Sequence, residues 1–165
     1  MSRVKRLTEV VAPAILTRAE QVSAILRELG IPHALIGGLA VGIHGHPRAT
    51  KDVDFLVGSE AFEATEPFLV YREELKELAR IGETDIMYIP EQFPGLSAEL
   101  RLEDDIPIIS LRGLVLMKLD AFRARDQEDV RSLLRIHPSR VREVRDYLQQ
   151  QAPELLSRFA EVLVG

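Results

Sequence analysis

Two aspartates, Asp52 and Asp54, are the residues whose type and spacing most directly predict chemistry. They lie two positions apart in the segment DVDFLV, residues 52–57, which we interpret as a strand. Side chains two apart in a strand share a face, with Cα atoms about 6.5–7 Å apart. The two carboxylates would repel each other unless a cation lies between them. We therefore predict a magnesium site, because Mg²⁺ is typically bound by one or two carboxylates together with substrate phosphates. The alternative is a solvent-facing edge strand.

A glycine pair upstream predicts a second part of the same site. Gly37 and Gly38 follow the apolar segment HALI, residues 33–36, and precede a short segment, residues 39–43, that can open a helix. A strand, a glycine pair and a helix in this order present backbone N–H groups that can hold a triphosphate. A side chain at either glycine would block that approach. A plain turn is the alternative, so it is the order of the two motifs and their spacing that indicate function.

Two motifs resemble those of a known family. The first reads GG, HG and RxTxDxD, and its residues are Gly37, Gly38, His44, Gly45, Arg48, Thr50, Asp52 and Asp54. It resembles the nucleotidyltransferase superfamily that includes DNA polymerase beta, and within it the AbiEii-type branch, whose members include toxins of toxin–antitoxin pairs. The second motif, KLDA at residues 118–121 followed by RDQED at residues 125–129, is similar to the KxxA…RDxxD helical motif of that branch. The resemblance covers roughly residues 20–135.

The resemblance implies a metal-dependent reaction of a nucleoside triphosphate (NTP). Asp52 and Asp54 would hold Mg²⁺, or Mn²⁺, against the phosphates, and a third acid from a neighbouring strand would complete the set. We expect Asp85, in the apolar segment 84–89, with Asp105 as the alternative. A hydroxyl would attack the α-phosphate in line and pyrophosphate would leave, while the metal neutralises charge and activates the nucleophile.

The same resemblance implies supporting roles for five other polar residues. Lys118 would reach the triphosphate from the helical half, and Arg48 and Thr50 would touch phosphate. Asp126 and Asp129 would orient Lys118 or a neighbouring arginine, or contact the acceptor. Four of them have a structural alternative: a solvated helix face for Lys118, a helix cap for Asp126, and a tie within the loop for Arg48 and Thr50.

The elements that must position these residues predict an α+β fold. Strands are predicted at residues 33–36, 52–57, 84–89 and 106–110. Helices are predicted at residues 17–29, from a capping box at Thr17 and Glu20, at 39–43, at 59–66 and from 111 to the end, while 68–80 is ambiguous. We expect the nucleotidyltransferase fold: a small mixed β-sheet flanked by helices over residues 1–110, and a C-terminal helical part over residues 111–165 packed on it as one compact unit.

Composition limits the classes of site and of protein. A chain of 165 residues fits one domain. The absence of cysteine excludes disulfides, thiolate zinc sites and cysteine nucleophiles. We expect neither a signal peptide nor a membrane span, and therefore a cytoplasmic location. The net charge of −5 argues against nonspecific nucleic-acid binding by the whole surface.

The leading function is transfer of a nucleoside monophosphate from an NTP to a hydroxyl of RNA, such as a transfer RNA, or of a protein. Family likeness adds a toxin role with an antitoxin partner. One alternative is a catalytically silent partner-binding protein of the same fold. Another is an aminoglycoside-type enzyme with an acidic acceptor pocket at Glu99, Glu103, Asp104 and Asp105.

An arginine cluster predicts either an RNA-backbone contact or a solvated face; its members are Arg131, Arg135, Arg140, Arg142 and Arg145. The sequence leaves open the acceptor, the NTP, the existence of an antitoxin and the oligomeric state.

Overall fold

The computed structural model describes residues 2–65, 68–78, 80 and 82–165. The helices are α1 (Pro13–Glu28), α2 (Gly37–Ile43), α3 (Glu73–Leu78), α4 (Leu111–Ala121), α5 (Ala124–Ile136), α6 (Val141–Gln151) and α7 (Leu156–Val164). The strands are β1 (His33–Ile36), β2 (Val53–Val57), β3 (Phe62–Thr65), β4 (Phe68–Tyr71) and β5 (Thr84–Tyr88). Short 3-10 helices span Arg3–Leu7, Ser59–Ala61, Pro94–Glu99, Pro138–Arg140 and Pro153–Leu155.

The central sheet is small and mixed, and it brings two aspartates together. Its described strands have the order β1-β2-β5, with β1 and β2 antiparallel and β2 and β5 parallel. In this register Asp54 of β2 is paired with Ile36 on one side and with Asp85 of β5 on the other. The strands β3 and β4 form a separate antiparallel pair.

Helices cover both faces of the central sheet. On one face, Ala34, Ile36 and Leu56 belong to an apolar cluster built largely from α4 to α7. On the other face, Leu35 and the odd-numbered residues of β2 pack in a second cluster with α1 and the N-terminal 3-10 helix. The alternation of side chains along β2 explains the division, because successive residues of a strand point to opposite faces. The protein therefore has a mixed α+β architecture with a three-stranded mixed sheet among its described residues.

Two predicted elements are wrong. Residues 106–110 form no strand: Leu35 donates to the Pro107 carbonyl and accepts from the Ile109 N–H, leaving an isolated bridge. Pro107 lacks an N–H to extend the pairing.

The segment predicted as a helix at 59–66 instead contains a 3-10 turn followed by β3, and residue 66 lies outside the described residues. Pairing of β3 with β4 overrides the helical propensity of its sequence.

The other boundaries agree with the prediction more closely. Strands β1, β2 and β5 lie within one residue of the predicted segments. Helix α1 begins at Pro13 rather than at Thr17, because proline is favoured in the first turn, where its missing N–H costs nothing. The ambiguous segment is a strand followed by the short helix α3; residue 79 lies outside the described residues. Within the described part of the chain, none of the helices has both the length and the apolar composition needed to cross a lipid bilayer.

Candidate active site

The three predicted metal ligands line one cavity of about 290 Å³. Asp54 and Asp85 are the second residues of β2 and β5, so parallel pairing sets them side by side on the same face of the sheet. Asp52 precedes β2 and lines the same cavity. Asp52 and Asp85 are exposed, whereas Asp54 is half-buried. The volume lies at the lower end of the range of small-molecule pockets.

The cavity has an acidic wall and an apolar wall. The acidic wall holds these three aspartates together with Asp120 and Asp126, and it carries two cations, Lys118 and Arg123. The apolar wall is contributed by the end of β1, by β5 and the segment after it, and by α4; its members are Ile36, Met87, Pro90, Phe93, Leu114, Leu116, Met117 and Ala121. Such a division suits a ligand with a charged end and an apolar or aromatic body.

The glycine pair lets the protein's own side chains approach the backbone closely. Gly37 has φ +68°, and a Cβ built there would overlap the Asp54 carboxylate, lying 3.0 Å from its Cγ. A Cβ at Gly38 would lie 3.0 Å from Thr50 Oγ1 and 3.2 Å from Arg48 Nη1. The absence of a side chain at Gly37 therefore leaves room for the Asp54 carboxylate. Gly38 admits two side chains that were themselves predicted to touch phosphate, and the phosphate-binding roles of these residues remain predictions.

The acidic wall perturbs Asp54 strongly. Burial, together with a hydrogen bond to Asp85 and the charges of Asp85 and Asp52, raises the pKa of Asp54 to about 7. The charge of Lys118 opposes this shift without cancelling it. Without a further cation, Asp54 therefore keeps its proton at acidic pH and loses it only as the pH rises through about 7.

The chemistry of the acidic wall fits a hard divalent cation. Its ligands are carboxylate oxygens, the donors that Mg²⁺ and Mn²⁺ prefer. The raised pKa of Asp54 reflects burial first and then the nearby negative charges, which a cation would neutralise. Among the residues that the structure describes, however, no three acidic or histidine side chains already lie close enough together to hold a metal ion. Asp52, Asp54 and Asp85 are the residues that would hold such a cation, and its charge would neutralise their carboxylates.

Lys118 is buried in an ion-pair network that joins α4, α5 and the loop before β2. Its Nζ lies 3.0 Å from Asp126 Oδ1 and 2.9 Å from Asp129 Oδ2, and its side chain is 8 % exposed. Arg48 donates from Nε and Nη2 to the two oxygens of Asp129, both at 2.9 Å. Burial raises the pKa of Asp129, but the hydrogen bonds and charges of Arg48 and Lys118 outweigh burial and hold that pKa below its usual value. The four residues tie the predicted phosphate-contacting loop to the helical part.

The structure places most of the predicted site residues around one cavity. Four others lie outside its lining, and Asp105, the alternative third acid, lies at a different cavity. Gly37, Lys118 and Asp126 share the cavity with the three acids, whereas Gly38, Arg48, Thr50 and Asp129 lie outside its lining. Asp126 is the third residue of α5 rather than its N-cap, and its carboxylate accepts from the Arg123 N–H at 3.2 Å. Asp105 lines a different cavity and pairs with Arg3. The neighbour of Asp54 is therefore Asp85 and not Asp105.

The histidine–glycine step of the first motif fixes the loop. His44 Nε2 lies 2.7 Å from the Ile109 carbonyl, and His137 Nε2 contacts the His44 carbonyl at 2.5 Å. Gly45 has φ +115°, a conformation that favours glycine. These bonds anchor the chain between α2 and Arg48 to the start of α4 and to the end of α5.

Sequence reasoning missed Arg123, which lines the cavity as the N-cap residue of α5. Its side chain is 77 % exposed, and its Nε lies 2.7 Å from Asp126 Oδ2. The signal was present in the sequence as an arginine three residues before an aspartate at a helix start, the spacing at which side chains meet.

Comparison with known proteins adds no family assignment. No protein-family model matches the chain, and no curated protein sequence matches it. The case for a function therefore depends on the site and on the motif resemblance.

The raised pKa of Asp54 predicts a pH-dependent loss of stability in the absence of metal. The folded chain holds this proton up to about pH 7, whereas the unfolded chain releases it near the ordinary value of 3.8. The stabilising contribution is therefore complete below about pH 4 and is lost as the pH rises to about 7. Since one pKa unit corresponds to about 1.4 kcal/mol, Asp54→Asn should gain a few kcal/mol over the wild type across that interval, measured by urea unfolding in EDTA.

The exposed Asp146 supplies the matched control for this measurement. Asp146→Asn should keep the pH dependence of the wild type. Parallel pH profiles for the wild type and Asp54→Asn would contradict the raised pKa.

The buried network predicts a structural role for Asp129. Replacing Asp129 by Asn removes the charge that Arg48 and Lys118 share, so the free energy of unfolding should fall by about 2–3 kcal/mol. Urea unfolding at pH 7 measures the change, and Asp146→Asn should alter it by no more than about 0.5 kcal/mol. Equal stability of the two variants would show that the network contributes little.

Proposed function

We propose that this protein is a metal-dependent nucleotidyltransferase with the nucleotidyltransferase fold, which transfers a nucleoside monophosphate from an NTP to a hydroxyl acceptor. The observation that carries the proposal is the register between β2 and β5, which sets Asp54 beside Asp85 in a cavity that Asp52 also lines. The raised pKa of Asp54 supports a cation at this point. The motif resemblance supports the reaction class.

Asp52, Asp54 and Asp85 would hold Mg²⁺ or Mn²⁺ in this reaction. When bound, the metal supplies neutralisation of the phosphate charge and activation of the attacking hydroxyl. A bound cation would lower the pKa of Asp54, so that this carboxyl would be ionised when the metal is held. Asp85 is exposed on the edge strand of the described sheet, and it would accept the proton of the attacking hydroxyl. The acceptor oxygen forms a bond to the α-phosphorus, and the bond to the bridging oxygen breaks to release pyrophosphate.

The apolar wall would bind the nucleoside. Met87, Pro90 and Met117, which are at least partly exposed, offer surfaces to a base or a ribose without a charged side chain among them. Burying this part of the substrate excludes water beside the acidic wall, and electrostatic interactions strengthen as water leaves.

The nature of the acceptor rests on the resemblance, which favours an RNA such as a transfer RNA, or a protein, and a toxin role opposed by an antitoxin. The arginine cluster gives RNA little support. Arg131 pairs with Glu128 and Arg140 with Glu143, while Arg145 lies over the ring of Phe159. A cytoplasmic location belongs to the same proposal, because the reaction draws on nucleoside triphosphates.

A catalytically silent binding protein of the same fold is the second candidate. It is favoured by one observation, the lack of a closed metal site among the described residues. The aminoglycoside-type alternative has no comparable support. Glu99 binds Ser110, Glu103 and Asp105 pair with Arg3, and Asp104 lines the same separate cavity as Asp105.

Transfer of label from an NTP is the direct test of the enzyme. We expect label from one or more α-labelled NTPs to enter RNA or protein of a lysate in the presence of Mg²⁺. Asp52→Asn, Asp54→Asn and Asp85→Asn should each lower the rate by about a hundredfold or more, because each removes a carboxylate that would hold the metal, and the metal neutralises the developing charge.

Two variants control this assay. Asp146→Asn tests the loss of an acidic charge far from the cavity, and Asp105→Asn tests the rival third acid. Both should retain activity. Equal labelling by all variants, or a loss confined to Asp105→Asn, would contradict the assignment.

Stabilisation by metal separates the enzyme from the silent protein. At pH 8, millimolar MgCl₂ should raise the melting temperature of the wild type by several degrees, because a cation that binds only the folded chain stabilises it by mass action. Asp54→Asn should lose this response and Asp146→Asn should keep it. A wild type that responds no more than Asp54→Asn would favour the silent protein.

A further inference from the structure

Two cations line the candidate cavity, and their surroundings differ. Lys118 is 8 % exposed and lies within 3.0 Å of an oxygen of both Asp126 and Asp129. Two of the three N–H donors of Lys118 are engaged by buried carboxylates, and turning the ammonium group toward a ligand would break at least one of these buried ion pairs, which is costly. Lys118 therefore has the surroundings of a structural cation.

Arg123 has the opposite surroundings. Its side chain is 77 % exposed at the mouth of the cavity. Asp126 engages one edge of the guanidinium, through Nε at 2.7 Å and through Nη2 at a long 3.5 Å. Its Nη1 makes no hydrogen bond to the parts of the chain that the structure describes. The carboxylate thus holds the group in place while one edge with two N–H donors stays open to solvent.

Arg123 lies within electrostatic reach of the acidic wall. The hydrogen bond from Arg123 to Asp126 and the charge of Asp126 raise the pKa of Arg123, and the charge of Asp54 contributes to the same shift. A ligand bound at Asp54 would therefore carry its negative groups toward a guanidinium, whose planar donors match phosphate oxygens.

We infer that Arg123, rather than Lys118, contacts the phosphate chain of the nucleotide, while Asp126 positions it. The inference rests on the proposed function for the identity of the ligand. It assigns Lys118 to the support of Asp126 and Asp129. Under this assignment Asp126 acts through Arg123 and does not touch the substrate.

The chain offers a close matched control in Arg125. Arg123 and Arg125 carry the same charge at the same end of α5, and both are exposed. Only Arg123 lines the cavity. Replacing either by Gln changes the net charge equally, so general attraction of an anion to the protein changes equally in the two variants.

Binding of inorganic tripolyphosphate in the presence of Mg²⁺ tests the inference without depending on a base or an acceptor. Calorimetric titration should show binding to the wild type, and Arg123→Gln should weaken it by about tenfold or more, the effect of losing a charge-assisted hydrogen bond. Arg125→Gln should weaken it by no more than about twofold. Arg123→Lys should recover only part of the affinity, because an ammonium group keeps the charge but not the planar pair of donors.

The outcomes separate this inference from the proposed function. Equal affinities of Arg123→Gln and Arg125→Gln would overturn the role of Arg123 and leave the proposed reaction standing. No binding of tripolyphosphate to a folded wild type that still transfers label would also overturn only the inference, whereas absence of both binding and transfer would overturn both. Where transfer is measured, Arg123→Gln should raise KM for the NTP; a rise in KM for the acceptor alone would assign Arg123 to an acceptor phosphate and overturn the inference.

Discussion

The central constraint in this protein is the concentration of carboxylates at one edge of a three-stranded sheet. Parallel pairing of β2 with β5 forces Asp54 and Asp85 side by side, and Asp52 adds a third negative charge to the same cavity. Lys118 opposes this charge only in part, since the pKa of Asp54 is raised to about 7 despite it. The fold therefore holds an electrostatic strain that a proton relieves at low pH and that a bound cation would relieve at higher pH.

The helical part supplies the positive charges that the sheet lacks. Lys118 comes from α4 and Arg123 from the turn between α4 and α5, while Asp129 of α5 reaches across to Arg48 in the loop before β2. Apolar residues of β1 and β2 pack in one cluster with α4 to α7, so the network lies beside a shared core. A shift of α5 would alter Arg48, Lys118 and Arg123 together. This coupling explains why the two sequence motifs, about 65 residues apart from Asp54 to Lys118, belong to one site.

The parts of this arrangement that depend on local sequence could be predicted, and the parts that depend on pairing could not. Alternation and apolar runs predicted β1, β2 and β5 to within a residue. The Asp-x-Asp spacing predicted one strand face for Asp52 and Asp54; Asp52 lies just before β2, and both residues line one cavity. The sequence favoured Asp85 over Asp105 but could not decide between them, because each lies at or near the start of an apolar segment. Only the strand order shows which of these segments pairs with β2. Pro107 prevents the rival segment from forming a full ladder. The helix expected at 59–66 failed for a similar reason, since β4 supplies a partner that local propensity does not reveal. Gly37 was predicted to leave room for a ligand, yet the atoms nearest to it are those of Asp54.

Asp54 and Asp129 show which charges of the site already have partners within the protein and which remain available to a ligand. Both are aspartates removed at least partly from water, and burial raises the pKa of each. Asp129 receives a bidentate arginine and a lysine, and its pKa falls below the usual value. Asp54 faces two other carboxylates, and its pKa rises. A buried charge with all its partners in place has nothing left to offer a ligand, whereas one surrounded by like charges gains most from a cation that arrives with the substrate. The same reasoning distinguishes Lys118 from Arg123 among the cations: the paired lysine holds the walls of the cavity in position, and the exposed arginine retains donors for a ligand.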